Sequence, residues 1–289
     1  MTGPRSATTS RWEVFRAVGA LAEHPSRQVA WALGIDDDLD PADHTEVFAF
    51  HALPYASAYL GGDGMLGGEA AARVAGFWRA VGYTDPQPPD HLAALLGLYA
   101  GLGESHDVAS EPARRKMLDQ ARQALLWEHL LPWVGVFADV VRMSGVRPWE
   151  VWADLIGEVM EEETARIATD DGLAVPRHLA EAPPPIDEDH EIAHLLAPVR
   201  SGIVLTRRDL SQAGRAMGLG IRMTGRLPTL EALLGQEPRA ISSWLADHAR
   251  QWEEQHRDRP GPALINRFWA ERAARTATVL GQTSGTRPV

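Results

Sequence analysis

The chain of 289 residues contains no cysteine. That excludes disulfides, thiolate metal sites and cysteine nucleophiles, and it fits a reducing compartment. An excess of positive charge is missing too: 28 lysines and arginines stand against 39 aspartates and glutamates, giving a formal net charge of −11. With no large basic surface to neutralise a phosphate backbone, nucleic acid is not expected as the main partner. The opening stretch MTGPRSATTSRWEVF has no apolar run long enough for a signal-peptide core, and no later segment approaches the length of a bilayer span. The expectation is a cytoplasmic protein without stable membrane insertion. Neither a serine–histidine–acid set with a nucleophile elbow, nor a Walker loop, nor a dinucleotide fingerprint occurs, so no catalytic residue, cofactor or metal is expected.

What is present is helical. Hydrophobic residues make up 45% of the chain, enough for one large core or two modest ones. Ten tryptophans against four tyrosines are read first as filling between helices. Apolar positions recur at three and four from Trp12 onward until His24-Pro25, and similar patterns cover 27–34, 44–58 and 69–81. The segment LGGDGMLGG at 60–68 is too rich in glycine for a regular element and reads as a loop. After the turn Asp85-Pro86-Gln87-Pro88-Pro89, Asp90 is placed to cap a helix from His91 to Gly101. A long helix follows from 111 to 143, bent or split at Pro132, and another starts at Pro148-Trp149 and runs into Glu161-Glu162-Glu163. Strand signals are nearly absent, so the fold class is all-α.

Ala182-Pro183-Pro184-Pro185 cannot continue a helix and marks the clearest boundary. The expected organisation is a helical domain over 1–180, a proline-rich linker over 181–188 and a smaller appended helical unit over 189–289. A hinge of this kind would permit a swapped homodimer.

Three stretches in fixed order carry a family resemblance: PYASAYLGGDGMLGGEAAARVAGFWRAVG at 54–82, PPDHLAALLGLYAGL at 88–102 and LLWEHLLPWVGVFADVV at 125–141. Together they resemble the TorD-like chaperones, and their most specific element is Pro-x-Asp-His opening one helix with Glu-His-Leu-x-Pro-Trp inside the next. The resemblance implies an all-helical chaperone that binds the twin-arginine leader of a molybdopterin oxidoreductase precursor and holds it until its cofactor is inserted. By position it implies roles for Asp90, His91, Glu128, His129, Pro132 and Trp133. A leader offers two guanidinium groups and then an apolar helix, which calls for carboxylates and an aromatic groove. Asp90 and Glu128 can supply charge; Tyr59, Trp78, Trp127 and Trp133 can supply rings. Of these nine leader-binding candidates, Asp90, His91, Glu128, His129 and Trp133 are expected to line one groove.

Two other readings lie in the C-terminal half. His190-Glu191-Ile192-Ala193-His194 is a formal H-E-x-x-H, which on a helix would place two imidazoles on one face for a zinc hydrolase. The segment from Arg207 to Leu234 can be parsed as a helix-turn-helix regulator, with Arg207, Arg208, Arg215, Arg222 and Arg226 facing phosphate. Overall acidity argues against the second, and Asp187-Glu188-Asp189 together with Pro198 argue against the first.

Overall fold

A computed structural model describes residues 10–35, 39–167, 174–220, 222 and 224–285. Helices account for all the regular structure among them; the one β-type pairing is an isolated antiparallel bridge between Tyr55 and His91. Helix Arg11–Glu23 opens with a full capping box, in which Ser10 and Glu13 satisfy each other's backbone N–H groups. It packs on helix Leu92–Val108, and helix Leu131–Met143 packs on helix Arg147–Ile167. Helices Pro238–Asp258 and Ala263–Gly285 form an extensive antiparallel-type pair near the C-terminus.

Tryptophans are the largest of the side chains that fill the core. Trp133, Trp149, Trp152, Trp252 and Trp269 are all fully buried. Most of these rings also satisfy their indole N–H: Trp152 donates to the Val18 carbonyl at 3.1 Å, Trp133 to His129 at 2.8 Å and Trp269 to Pro132 at 2.9 Å. A buried ring of this kind contributes area and a directional tie at once. The Trp269 bond also ties the C-terminal helices to the centre of the chain.

Pro132 neither breaks the long helix nor simply bends it. The turn before it widens into a π-helix, Leu125–Leu130, whose last bond runs from the Leu131 N–H to the Leu126 carbonyl. Proline then occupies the first turn of helix Leu131–Met143, where its missing N–H removes no bond. Because the axis continues, Pro112–Met143 forms a run of 32 residues that is long and apolar enough, by length and composition, to cross a membrane. This corrects the expectation that no segment reaches that length; 72% of its most apolar window is buried inside the protein itself, as a core helix would be.

The stretch beyond residue 180 touches the first part at several points. Arg200 donates to the Gly62 carbonyl at 2.7 Å, and Arg272 donates to Pro183 at 2.7 Å. Gly64, at φ +65°, lies so near the Leu196 carbonyl that a Cβ there would collide with it. The glycine-rich loop thus makes its close approach to the chain's own backbone. Arg259 reaches back to the buried Asp139, with nitrogen–oxygen distances of 2.5 and 2.7 Å.

Candidate functional site

The Asp90-His91 pair sits where two helices begin side by side. Ala56 N–H donates to the Asp90 carbonyl at 3.0 Å and Leu92 N–H to the Pro54 carbonyl at 2.8 Å, which locks the two starts together. The Asp90 carboxylate is 2% exposed and accepts from Ser57 N–H at 2.8 Å, so it caps the neighbouring helix Ala56–Leu60. Its expected role on its own helix falls to His91, whose Nδ1 accepts from Ala93 N–H at 3.1 Å. The correction has a simple cause: the bridge turns the Asp90 side chain across to the adjacent helix. An accepting Nδ1 requires a neutral ring, and burial lowers the His91 pKa, opposed by the nearby Glu23 and Asp90. Trp78 closes this corner by donating to the Pro89 carbonyl at 3.1 Å.

The second motif is arranged around the π-turn. Glu128 accepts from Arg177 N–H at 2.6 Å, capping the short helix Arg177–Ala180, and the Trp127 indole donates to the Ala174 carbonyl at 2.9 Å. His129 and His178 place ring nitrogens 3.3 Å apart, with the Phe77 ring 4.7 Å from His129. One imidazole must donate and the other accept, which two neutral rings can do. Burial, then the neighbouring His178 and Arg73, push the pKa of His129 down to about 3, and burial with Arg73 pushes His178 down to about 4.

Tyr59 and Trp133 stack at 5.5 Å in the core, 2% and 0% exposed, and Pro132 spends its carbonyl on Trp269. The nine residues therefore form two corners and a buried stack. Helix Gly68–Ala80 links the corners through Trp78 and Phe77, and no hydrogen bond, ion pair or ring contact joins Asp90 or His91 to Glu128 or His129 among the described residues.

Sequence reasoning missed a groove of 480 Å³ on the other side of helix Leu131–Met143. Leu131, Val134, Ala138, Ile265 and Trp269 give it an apolar wall. Asp154, Glu158 and Glu161 line it from helix Arg147–Ile167, and Asp258 from the end of helix Pro238–Asp258. At its base Asp139 holds both Arg142, at 2.7 Å, and Arg259. Asp154 pairs with Arg142 at 2.7 Å, whereas the exposed Glu158, Glu161 and Asp258 have no ion-pair partner among the described residues. The signal was there in the acidic spacing 154, 158, 161, one face of a helix. The expected acidic end of this helix is divided: Glu161 faces the groove, while Glu163 is buried against Arg122 at 3.3 Å.

The H-E-x-x-H segment lacks the helix its chemistry needs. His190 and Glu191 precede a 3₁₀ turn, Ile192–Leu196, and His190 Nδ1 lies 2.6 Å from the Asp187 carbonyl. Among the described residues no three histidine, aspartate or glutamate side chains converge as a metal would require. The arginines of the helix-turn-helix reading are partly engaged internally: Arg208 on the Ser144 carbonyl, Arg226 on those of Leu205 and Gly64.

Residues 41–139 match the family model described as nitrate reductase delta subunit. Proteins named chaperone protein TorD from Vibrio cholerae serotype O1, of the classical Ogawa and El Tor Inaba strains, are each 35% identical over 92 residues. That alignment takes in 30% of this chain and 41% of each relative, so the chain spans about two fifths of the length of the curated relatives it matches. All nine motif residues fall inside the matched segment, and the acidic wall of the groove falls outside it. Over residues 41–139 the chain is similar to the nitrate reductase delta subunit family, and over 92 residues to proteins named chaperone protein TorD.

Proposed function

We propose that this chain is a cytoplasmic chaperone for the precursor of a molybdopterin-dependent oxidoreductase, and that it holds the precursor's twin-arginine leader in the groove between helices Leu131–Met143 and Arg147–Ile167 and the 255–269 segment. The observation that carries the reading is the row Glu158, Glu161 and Asp258, carboxylates without ion-pair partners beside an apolar wall. Guanidinium groups pair with carboxylates through two parallel hydrogen bonds, and an apolar helix following them would cover Leu131, Pro260 and Pro262, lining residues that keep exposed apolar surface. The name of the TorD relatives supports the chaperone class. In this reading the two sequence motifs hold the helices in register, and the C-terminal stretch completes the groove.

The test is calorimetric titration of the full chain with a synthetic twin-arginine leader at two salt concentrations. Glu158→Gln with Glu161→Gln should weaken binding by about tenfold or more, and the effect should shrink at high salt. A leader with both arginines changed to lysine should also bind less well, because lysine cannot make the bidentate pair. Equal affinity for all of these would remove the groove from the mechanism.

A further inference from the structure

A second cavity, remote in chemistry from the acidic groove, is basic. Helix Arg207–Ala216 turns Arg207, Ser211 and Arg215 to one side, because positions four and eight apart stack on one helical face. With Arg208 they line a cavity of 460 Å³ that shares its lining with the π-turn Glu46–His51. Arg208 is anchored on the Ser144 carbonyl, and the Arg207 guanidinium lies 5.1 Å from the Phe50 ring centroid. None of the three arginines has an ion-pair partner among the described residues.

The negative groups nearby are already engaged. Glu46 lines the cavity but pairs with His51 Nε2 at 2.8 Å, and Asp209 is turned into the capping box, accepting from Thr206 N–H at 2.8 Å. His51 adds an independent observation: its side chain is 9% exposed, it lines the cavity, and its Nδ1 is buried without a partner. Three guanidinium groups gathered in one concavity repel one another unless an anion neutralises them.

We infer that this cavity binds a phosphorylated small molecule, with Arg207, Arg208 and Arg215 as the phosphate-binding side chains. Arginine forks match phosphate oxygens in pairs, and the volume is that of a small-molecule site larger than a lone ion requires. Phe50, 44% exposed, offers the ligand an apolar surface beside the charge.

Titration of the full chain with pyrophosphate, against sodium chloride at matched ionic strength, tests the site. Saturable binding is expected, weakened about tenfold or more in Arg207→Gln with Arg215→Gln. Arg222→Gln, which removes an exposed charge of the same segment outside the cavity, should leave binding unchanged. Circular dichroism melts on each variant establish that it is folded. Binding that responds equally to Arg222→Gln, or survives the double substitution, would overturn the assignment. Phosphatidylglycerol vesicles bound where pyrophosphate is not would overturn the small-molecule ligand in favour of a lipid surface.

Discussion

The two corners built by the sequence motifs and the groove on the far side of helix Leu131–Met143 differ in how much of their chemistry is already engaged. At the corners, Asp90 holds Ser57, His91 holds Ala93, Glu128 holds Arg177, and Trp127 and Trp133 donate to carbonyls. In the groove, Glu158, Glu161 and Asp258 lie open beside apolar side chains. A recurring motif can thus mark the joints that set a helical frame, while the free charge that a ligand would meet lies on a neighbouring surface.

The comparison sharpens first where the corners meet the core. Trp133→Ala, which removes a fully buried ring stacked on Tyr59, should cost about 3–5 kcal/mol in denaturant unfolding. If the loss were under 1 kcal/mol, the stack would be a loosely held surface and the corners would have to be reconsidered as binding sites.

Acid should act on the corners next. His129 and His178 have folded pKa values near 3 and 4, below the ordinary 6.5, so the unfolded chain takes up protons that the folded chain does not. Their contribution to stability is complete above pH 6.5 and is lost as pH falls from there toward 4, at about 1.4 kcal/mol per pH unit for each proton. His256, pushed down to about 3 by burial and Arg259, adds a slope of the same sign. Denaturant midpoints from pH 7 to 4.5 should show this fall, and His129→Gln with His178→Gln should flatten it.

Asp90→Asn should cost about 1–2 kcal/mol, the value of a buried charged cap on Ser57, and His91→Ala about 1 kcal/mol through its own helix start. Glu158→Gln and Glu161→Gln, both exposed, should change stability by about 0.5 kcal/mol or less. A melting temperature that moved more for the groove pair than for Asp90→Asn would reverse the comparison.

Much of this arrangement was legible in the chain. The helical periods, the glycine loop at 60–68 and the filling role of tryptophan follow from local spacing and composition, and the all-α class follows from them. Pro132 was legible as a disturbance, but its resolution by a π-turn, with the carbonyl of Pro132 taken up by Trp269 from 137 residues away, was not. Asp90 shows the limit more clearly. Proline followed by aspartate reads as a cap for the next helix, and only the bridge between Tyr55 and His91 turns that carboxylate to a helix 33 residues earlier in sequence. The groove was hidden for the same reason: its walls come from 131–142, 154–164 and 255–269, and no local pattern brings those segments together. The H-E-x-x-H spacing would serve zinc only on a helix, and the chain before Pro198 tightens only into a 3₁₀ turn.

The most direct test compares two double variants in one titration against the twin-arginine leader: Glu158→Gln with Glu161→Gln in the groove, and Asp90→Asn with Glu128→Gln at the corners. The account predicts that the groove pair weakens binding by about tenfold or more with its melting temperature nearly unchanged, whereas the corner pair lowers the melting temperature and leaves affinity within about twofold. Loss of affinity in the corner pair, with the groove pair binding as the parent does, would contradict it.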